Sequence, residues 1–317
     1  MKSVFYITIT VILVCSIIFV MGFKPPDKAE RVRAIGSTEG LPEILQKAFV
    51  PEDDFEPVPK PEPGDWLAEH PEKGQTFDDF VHTGKNRPDK SRNKIYFQPL
   101  GEFREDRSPS LEKLKEYASA YFSMEVKVLT PLILIDDSFT TRKNTYTGKM
   151  QILTTDILTL LKKKLPDDAF CILAITMEDL YPDPSWNFVF GQASFQGRAG
   201  VYSFSRYDPA FYGEKRDKDY KKILLKRSCR VLVHETGHMF GLEHCIFFRC
   251  VMNGSNHLEE SDSRPLRLCP VCIRKLHSSI EFDIMDRYNR LLLFYKESGI
   301  DQETRWMENR LKKIKQD

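Results

Sequence analysis

The chain has 317 residues, 41% hydrophobic and 29% charged, with a formal net charge of +1. This composition excludes a fibrous or wholly disordered chain, and near-neutrality gives bulk charge no means of holding a polyanion, so no nucleic acid is expected as a partner. The length suits one sizeable domain with terminal extensions, or at most two small ones.

Ser3 to Phe23 contains no charged residue and lies between Lys2 and Lys24. The run is long enough to span a bilayer, so residues 1–23 read as a single-pass N-terminal membrane anchor. A cleaved signal peptide, leading to secretion, is the alternative, with Val20-Met21-Gly22 near a cut, although the run is long for a signal core. Lys24, Lys28, Arg31 and Arg33 follow the run, and the positive-inside tendency then places the remainder in the cytosol.

Residues 24–64, with prolines at 51, 57, 59, 61 and 63, read as an extended tether holding one short helix, Leu41 to Phe49. Trp66, Leu67, Phe77 and Phe80 are the first residues with enough apolar surface to dock, so the folded domain is set at 65–299 and a tail at 300–317. Met307, Leu311 and Ile314 mark a weak helix in that tail.

From Lys94, IYFQPL reads as a strand, and Ser108-Pro109 as the cap and first position of a helix through Met124. VKVL and PLILI, between 126 and 135, read as strands; Gln151 to Lys164 reads as a helix ending before Pro166. FCILAIT, from Phe170, is a buried strand. WNFVFGQAS (186–194) and AGVYSFS (199–205) follow as two strands joined through Gln196-Gly197-Arg198, a hairpin at the sheet edge. An apolar helix from Ile223 to Phe240 and a long C-terminal helix marked by Ile280, Ile284, Tyr288 and Leu291 complete the order. Strands alternating with helices give an α/β fold whose mixed sheet carries one antiparallel edge strand.

Within the apolar helix, His234 and His238 fall one turn apart on one face, with Glu235 beside them. Gly241 allows a sharp exit from the helix, and His244 then returns as a third ligand. Three imidazoles leave one corner of a tetrahedral zinc site open for water, the arrangement of a catalytic site, with Glu235 as general base. The bland alternative is three histidines that are solvated or hydrogen-bonded in a core; the fixed positions of Gly241 and His244 weigh against it.

HExxHxxGxxH is the spacing of the metzincin zinc peptidases. With His244-Cys245, then Cys250, Met252, Asn253 and CPVC at 269–272, and with DLYP, SWNFVFGQAS and SFSRY upstream, the chain resembles the archaemetzincin family, its vertebrate members in particular, over roughly Asp65 to Tyr295. The apolar N-terminus and a shortened segment between Tyr207 and Ile223 depart from that pattern. The resemblance implies a zinc metallopeptidase acting on peptides or small proteins, with a metzincin-like fold and a small cysteine-zinc subdomain.

Cys245, Cys250, Cys269 and Cys272 form two short pairs that suit a closed zinc site, and the resemblance implies the same, giving two zinc ions per chain, one catalytic and one structural. Two disulfides are the competing reading in an oxidising compartment. The resemblance also makes Met252 the methionine beneath the catalytic metal, where composition alone says only a core methionine. It gives substrate pairing to an edge strand of Asn187, Phe188, Val189, Phe190, Gly191, Gln192 and Ala193. The alternative function is a membrane-tethered, zinc-stabilised scaffold without peptidase activity.

Overall fold

A computed structural model describes residues 23–83, 86–134 and 139–316. The expected anchor lies, but for Phe23, outside the described residues, and among these no helix is long and apolar enough to cross a membrane.

Among the described residues, four short helices, α1 (Lys28–Ile35), α2 (Glu43–Phe49), α3 (Trp66–Glu69) and α4 (Phe77–His82), precede β1 (Lys94–Leu100), α5 (Leu111–Phe122) and β2 (Glu125–Val128). Next come β3 (Thr141–Lys143), β4 (Met150–Leu153), α6 (Thr154–Lys163), β5 (Ala169–Thr176), β6 (Asp179–Tyr181), β7 (Gly191–Ser194) and β8 (Ala199–Ser203). The chain ends with α7 (Tyr220–Met239), α8 (Leu258–Asp262), α9 (Pro270–Ile280), α10 (Ile284–Glu297) and α11 (Asp301–Lys315).

The main sheet has the order β2-β1-β5-β8-β7, parallel throughout except for β7, which runs antiparallel to β8 at the edge. Both faces of β5 are buried because both are covered. Leu173, Ile175 and Tyr202 face the larger core with α5 and α7, while Ile172, Ala174 and Val201 face a smaller core with α6, as the two-residue period of a strand requires. Gly200 sets the height of α7 above the sheet. A Cβ there would lie 2.7 Å from Met239 Cε, so the end of α7 presses directly on β8 and sits beside the edge strand.

Several elements differ from the sequence reading. Residues 24–64 are not an extended tether: α1 and α2 pack on α9, and Ala34, Ile35, Phe49, Phe55 and Val58 enter the main core. Glu56 O accepts from Arg249 N, and Pro57 pairs with Phe248 in an antiparallel bridge. The prolines here shape an extended chain that lies along the domain. The expected helix from Gln151 begins as β4 and becomes α6 only at Thr154, because buried Gln151 bonds to the Asp179 carboxylate and to Asn187 O. A second sheet, β3-β4-β6, results. PLILI forms no strand in its described part, only a bridge from Leu132 to Leu100. The long C-terminal helix is two, α9 and α10, parted at Glu281 with φ 59°. The expected 186–194 strand is reduced to Gly191–Ser194.

Candidate active site

The last turns of α7 carry His234, Glu235 and His238, and the buried Val231, Leu232 and Val233 hold this part of the helix in the core. At Gly241 φ is +85°, a left-handed conformation that glycine takes without penalty, and the reversed chain brings His244 back. The three rings lie 4.7, 5.2 and 5.3 Å apart, centroid to centroid.

Each ring is oriented through Nδ1. His234 Nδ1–H donates to Val251 O at 2.9 Å, His238 Nδ1–H to Leu242 O at 2.6 Å, and His244 Nδ1–H to the Glu72 carboxylate at 2.8 Å. Carbonyl and carboxylate oxygens only accept, so the proton sits on Nδ1 and the lone pair on Nε2. Nε2 of His234 and Nε2 of His238 are 3.1 Å apart. Two lone pairs at that separation repel unless a cation lies between them. Zinc–nitrogen bonds of about 2.0–2.1 Å in a tetrahedron would set the nitrogens about 3.3 Å apart, so the residues fit the metal. Burial, then the neighbouring rings, holds His234 well below 6.5 and His238 at about 4, which keeps both neutral for ligation.

Burial pushes the Glu235 carboxyl up to about 8, and a dication on the adjacent rings would pull it the other way. The carboxylate lies against β7, where a Cβ on Gly191 would come within 3.0 Å of Glu235 Cδ and Oε1. A cleft of about 650 Å³ runs between α7 and β7; the three histidines, Glu235, Val189 to Ala193, Phe195 and Trp186 line it. Ser203 N donates to Phe190 O. By antiparallel alternation Gln192 and Ser194 face β8 as well, leaving the N–H and C=O of Gly191 and Ala193 toward the open edge.

Asn187 and Phe188 do not line the cleft. Asn187 O accepts from Arg142, Asn144 and Gln151 of the second sheet region. Phe188 stacks on the Arg206 guanidinium at 3.6 Å, and Arg206 in turn pairs with Asp179 at 2.8 Å. These contacts fasten the rim beside Phe190, whose ring Phe188 meets edge-on at 5.2 Å.

Next to His244, Cys245 turns the opposite way. The four sulfurs of Cys245, Cys250, Cys269 and Cys272 lie within 4.8 Å of one another, all buried and none in a disulfide. Backbone N–H groups of Met252 and Cys269 donate to Cys250 Sγ at 3.5 and 3.3 Å. Burial raises the Cys245 thiol, but hydrogen bonds from the other three cysteines outweigh it and leave it well below the ordinary value. Four sulfurs at this spacing fit a zinc ion. Asn253 is spent inside the loop: its Nδ2 donates to Cys245 O and Phe248 O, and its Oδ1 accepts from Cys250 N. Met252 is wholly buried, and its Sδ would be 2.6 Å from a Cβ at Gly237, so it packs tightly under the helix turn between the two histidines.

The profile of Peptidase family M54 matches residues 119–278. Archaemetzincin-2 of Macaca fascicularis is 42% identical over 80% of this chain and 78% of its own length, and that of Homo sapiens 40% identical over 83% and 81%. The chain belongs to the archaemetzincin family. It is a zinc metallopeptidase of that family, with peptides as its substrate class. Among solved structures, archaemetzincin from Methanopyrus kandleri is 29% identical, covering 62% of this chain and 99% of that one with a TM-score of 0.46.

Sequence reading of this archaemetzincin missed Glu72, Gln75 and Lys275. Gln75 Nε2 donates to Gly241 O and its Oε1 accepts from Glu243 N; buried Lys275 donates to Gln75 Oε1 at 3.0 Å. Burial raises the Glu72 carboxyl, but the bonds from His244 and Trp66 outweigh it and hold it below the usual range. The only signal was Trp66 as a docking residue. The His70 ring lies 4.4 Å from that of Trp66, tilted by 40°, and Cys171 and Cys229 are buried core thiols.

Proposed function

We propose that this archaemetzincin hydrolyses peptide bonds with one zinc ion on His234, His238 and His244, with Glu235 as general base, and with a second zinc ion held by Cys245, Cys250, Cys269 and Cys272. One observation carries the reading: three imidazoles with Nδ1 committed turn their Nε2 lone pairs toward one point beside a buried carboxylate, at the wall of an open cleft. When bound there, zinc supplies Lewis acidity, polarising a carbonyl and lowering the pKa of water from about 15.7 towards roughly 7.

The chain's own groups do the rest. An extended peptide laid along β7 meets the outward N–H and C=O of Gly191 and Ala193, which hold backbone and not side chain. Trp186 and Phe195, exposed by 53% and 37%, also line the cleft and favour apolar side chains in the peptide. Glu235 Oε1 takes a proton from water as it attacks and returns it to the leaving amine. Met252, beneath the turn, keeps the helix from settling and so holds the spacing of the two helical histidines. The cysteine site braces the loop that carries His244, where metal-binding free energy becomes folding free energy.

The test is cleavage of a diverse peptide library by zinc-loaded protein. Chelator-sensitive cleavage is expected, with kcat lowered about 10²- to 10⁴-fold in Glu235→Gln while about two zinc ions per chain remain. Equal cleavage by Glu235→Gln, or none by the loaded wild type, removes the assignment.

A further inference from the structure

Two of the three histidines sit on α7 and donate to backbone carbonyls of the same loop region, His234 to Val251 and His238 to Leu242. His244 lies beyond the helix, and its Nδ1 meets a side chain, the carboxylate of Glu72, 172 residues earlier in the chain. Glu72 lies in the segment between α3 and α4, outside the 119–278 stretch that matches the family profile.

That segment is built to present the carboxylate. Trp66 Nε1 donates to the same Glu72 Oε1 at 2.8 Å, and the Trp66 ring stands edge-on to His244 at 5.0 Å. Trp66 N is itself held by the Glu260 carboxylate at 3.1 and 3.2 Å, and its ring lies on Gly254, where a Cβ would collide with it. Three residues on, Gln75 clamps the loop from both sides through Gly241 O and Glu243 N, fixed by buried Lys275. At Gly74, φ +72°, the backbone lies against Ile246 and Phe247. The arm is therefore stapled to the loop before and after the histidine whose ring it orients.

We propose that Glu72 is a positioning residue for the zinc peptidase site: its carboxylate fixes the tautomer and ring direction of His244, making residues 65–83 part of the metal-binding unit. The inference rests on the zinc-peptidase reading of the histidine trio. A carboxylate behind a ligating imidazole both orients it and raises its basicity, and removing such a partner typically weakens metal binding about 10- to 100-fold. Gln at this position keeps an oxygen acceptor for Nδ1–H and for Trp66 but loses the charge, whereas Ala loses both.

The experiment is zinc affinity of the full chain by competition with a chelator, resolving two classes of site, for wild type, Glu72→Gln, Glu72→Ala and His234→Ala. The expected result is one site weakened about 10- to 100-fold in Glu72→Ala and less in Glu72→Gln, with the other site, the cysteine cluster, unchanged and reporting an intact fold. Unchanged affinity at both sites in Glu72→Ala overturns the proposal. Parallel weakening of both sites also overturns it, since Glu72 would then serve the fold alone. If His234→Ala loses no zinc, the histidine site itself is misassigned, an outcome distinct from failure of the Glu72 role.

Discussion

Gly191 is the point where the edge strand and the metal-binding helix touch. It has an ordinary negative φ, so its value lies in space and not in conformation: a methyl group would stand 3.0 Å from Glu235 Cδ and Oε1 and equally close to Tyr202 Cβ. Tyr202 is wholly buried and cannot move, so the carboxylate must. Displacement of a reacting group by about 1 Å can cost about 10²-fold in rate, and the few tenths of an ångström needed here cost less. Gly191→Ala is therefore expected to lower kcat by up to about tenfold with little change in melting temperature or in zinc content; an unchanged kcat would show that Glu235 tolerates the shift. Residues whose geometry is local were legible in the sequence: His234, Glu235 and His238 through the helical period, His244 through Gly241. Gly191 and Glu72 were not, because what defines each is a contact with residues 44 and 172 positions away in the chain.

Among the elements, the N-terminal arm shows how a proline-rich stretch becomes part of a domain. Helix α2 ends at Val50 in an extended conformation, with no glycine cap, which leaves the last carbonyls of the helix seeking donors. Arg310 of α11 supplies them, donating to Lys47 O and Ala48 O at 2.9 Å and Val50 O at 3.2 Å, with Asp54 at 3.4 Å and the Phe55 ring beneath its guanidinium. The side chain is fully buried. Arg310→Met leaves these buried carbonyls without their donor and Asp54 with only Lys313, at 3.9 Å, a loss of about 3–5 kcal/mol. The expected readouts are a melting temperature lower by several degrees and new proteolytic cleavage between residues 50 and 64; an unaltered digest would mean that packing of Phe49 and Phe55 alone holds the arm. The parallel strands and crossover helices of the sheet could be read from periodicity, since each buries its own pattern. The docking of the arm could not, since its prolines signal only that it is not helix or central strand, and its partner in α11 is some 260 residues away.

For the whole molecule, docking of the arm changes what an N-terminal anchor would do. We propose that the apolar segment ending at Phe23 holds the enzyme on a membrane with its cleft in the cytosol. Phe23 packs against the main core and α1 begins at Lys28, so no slack tether of the length first read from the prolines lies between them. A bilayer-spanning segment would then keep the domain close against the surface, with substrates drawn from that layer. One feature of the fold favours the reducing side: the side-chain amide of Asn253, in an Asn-Gly-Ser sequence, is buried and hydrogen-bonded where a glycan has no room. The full chain is expected to stay with membranes through alkaline extraction, and a chain lacking residues 1–22 to leave them with its chelator-sensitive activity intact. Protease added outside sealed microsomes should digest the domain. Protection of the domain, or an endoglycosidase-sensitive shift abolished by Asn253→Gln, would instead put it in the lumen, where the paired cysteines would face oxidation to disulfides and the second zinc site would have to form first.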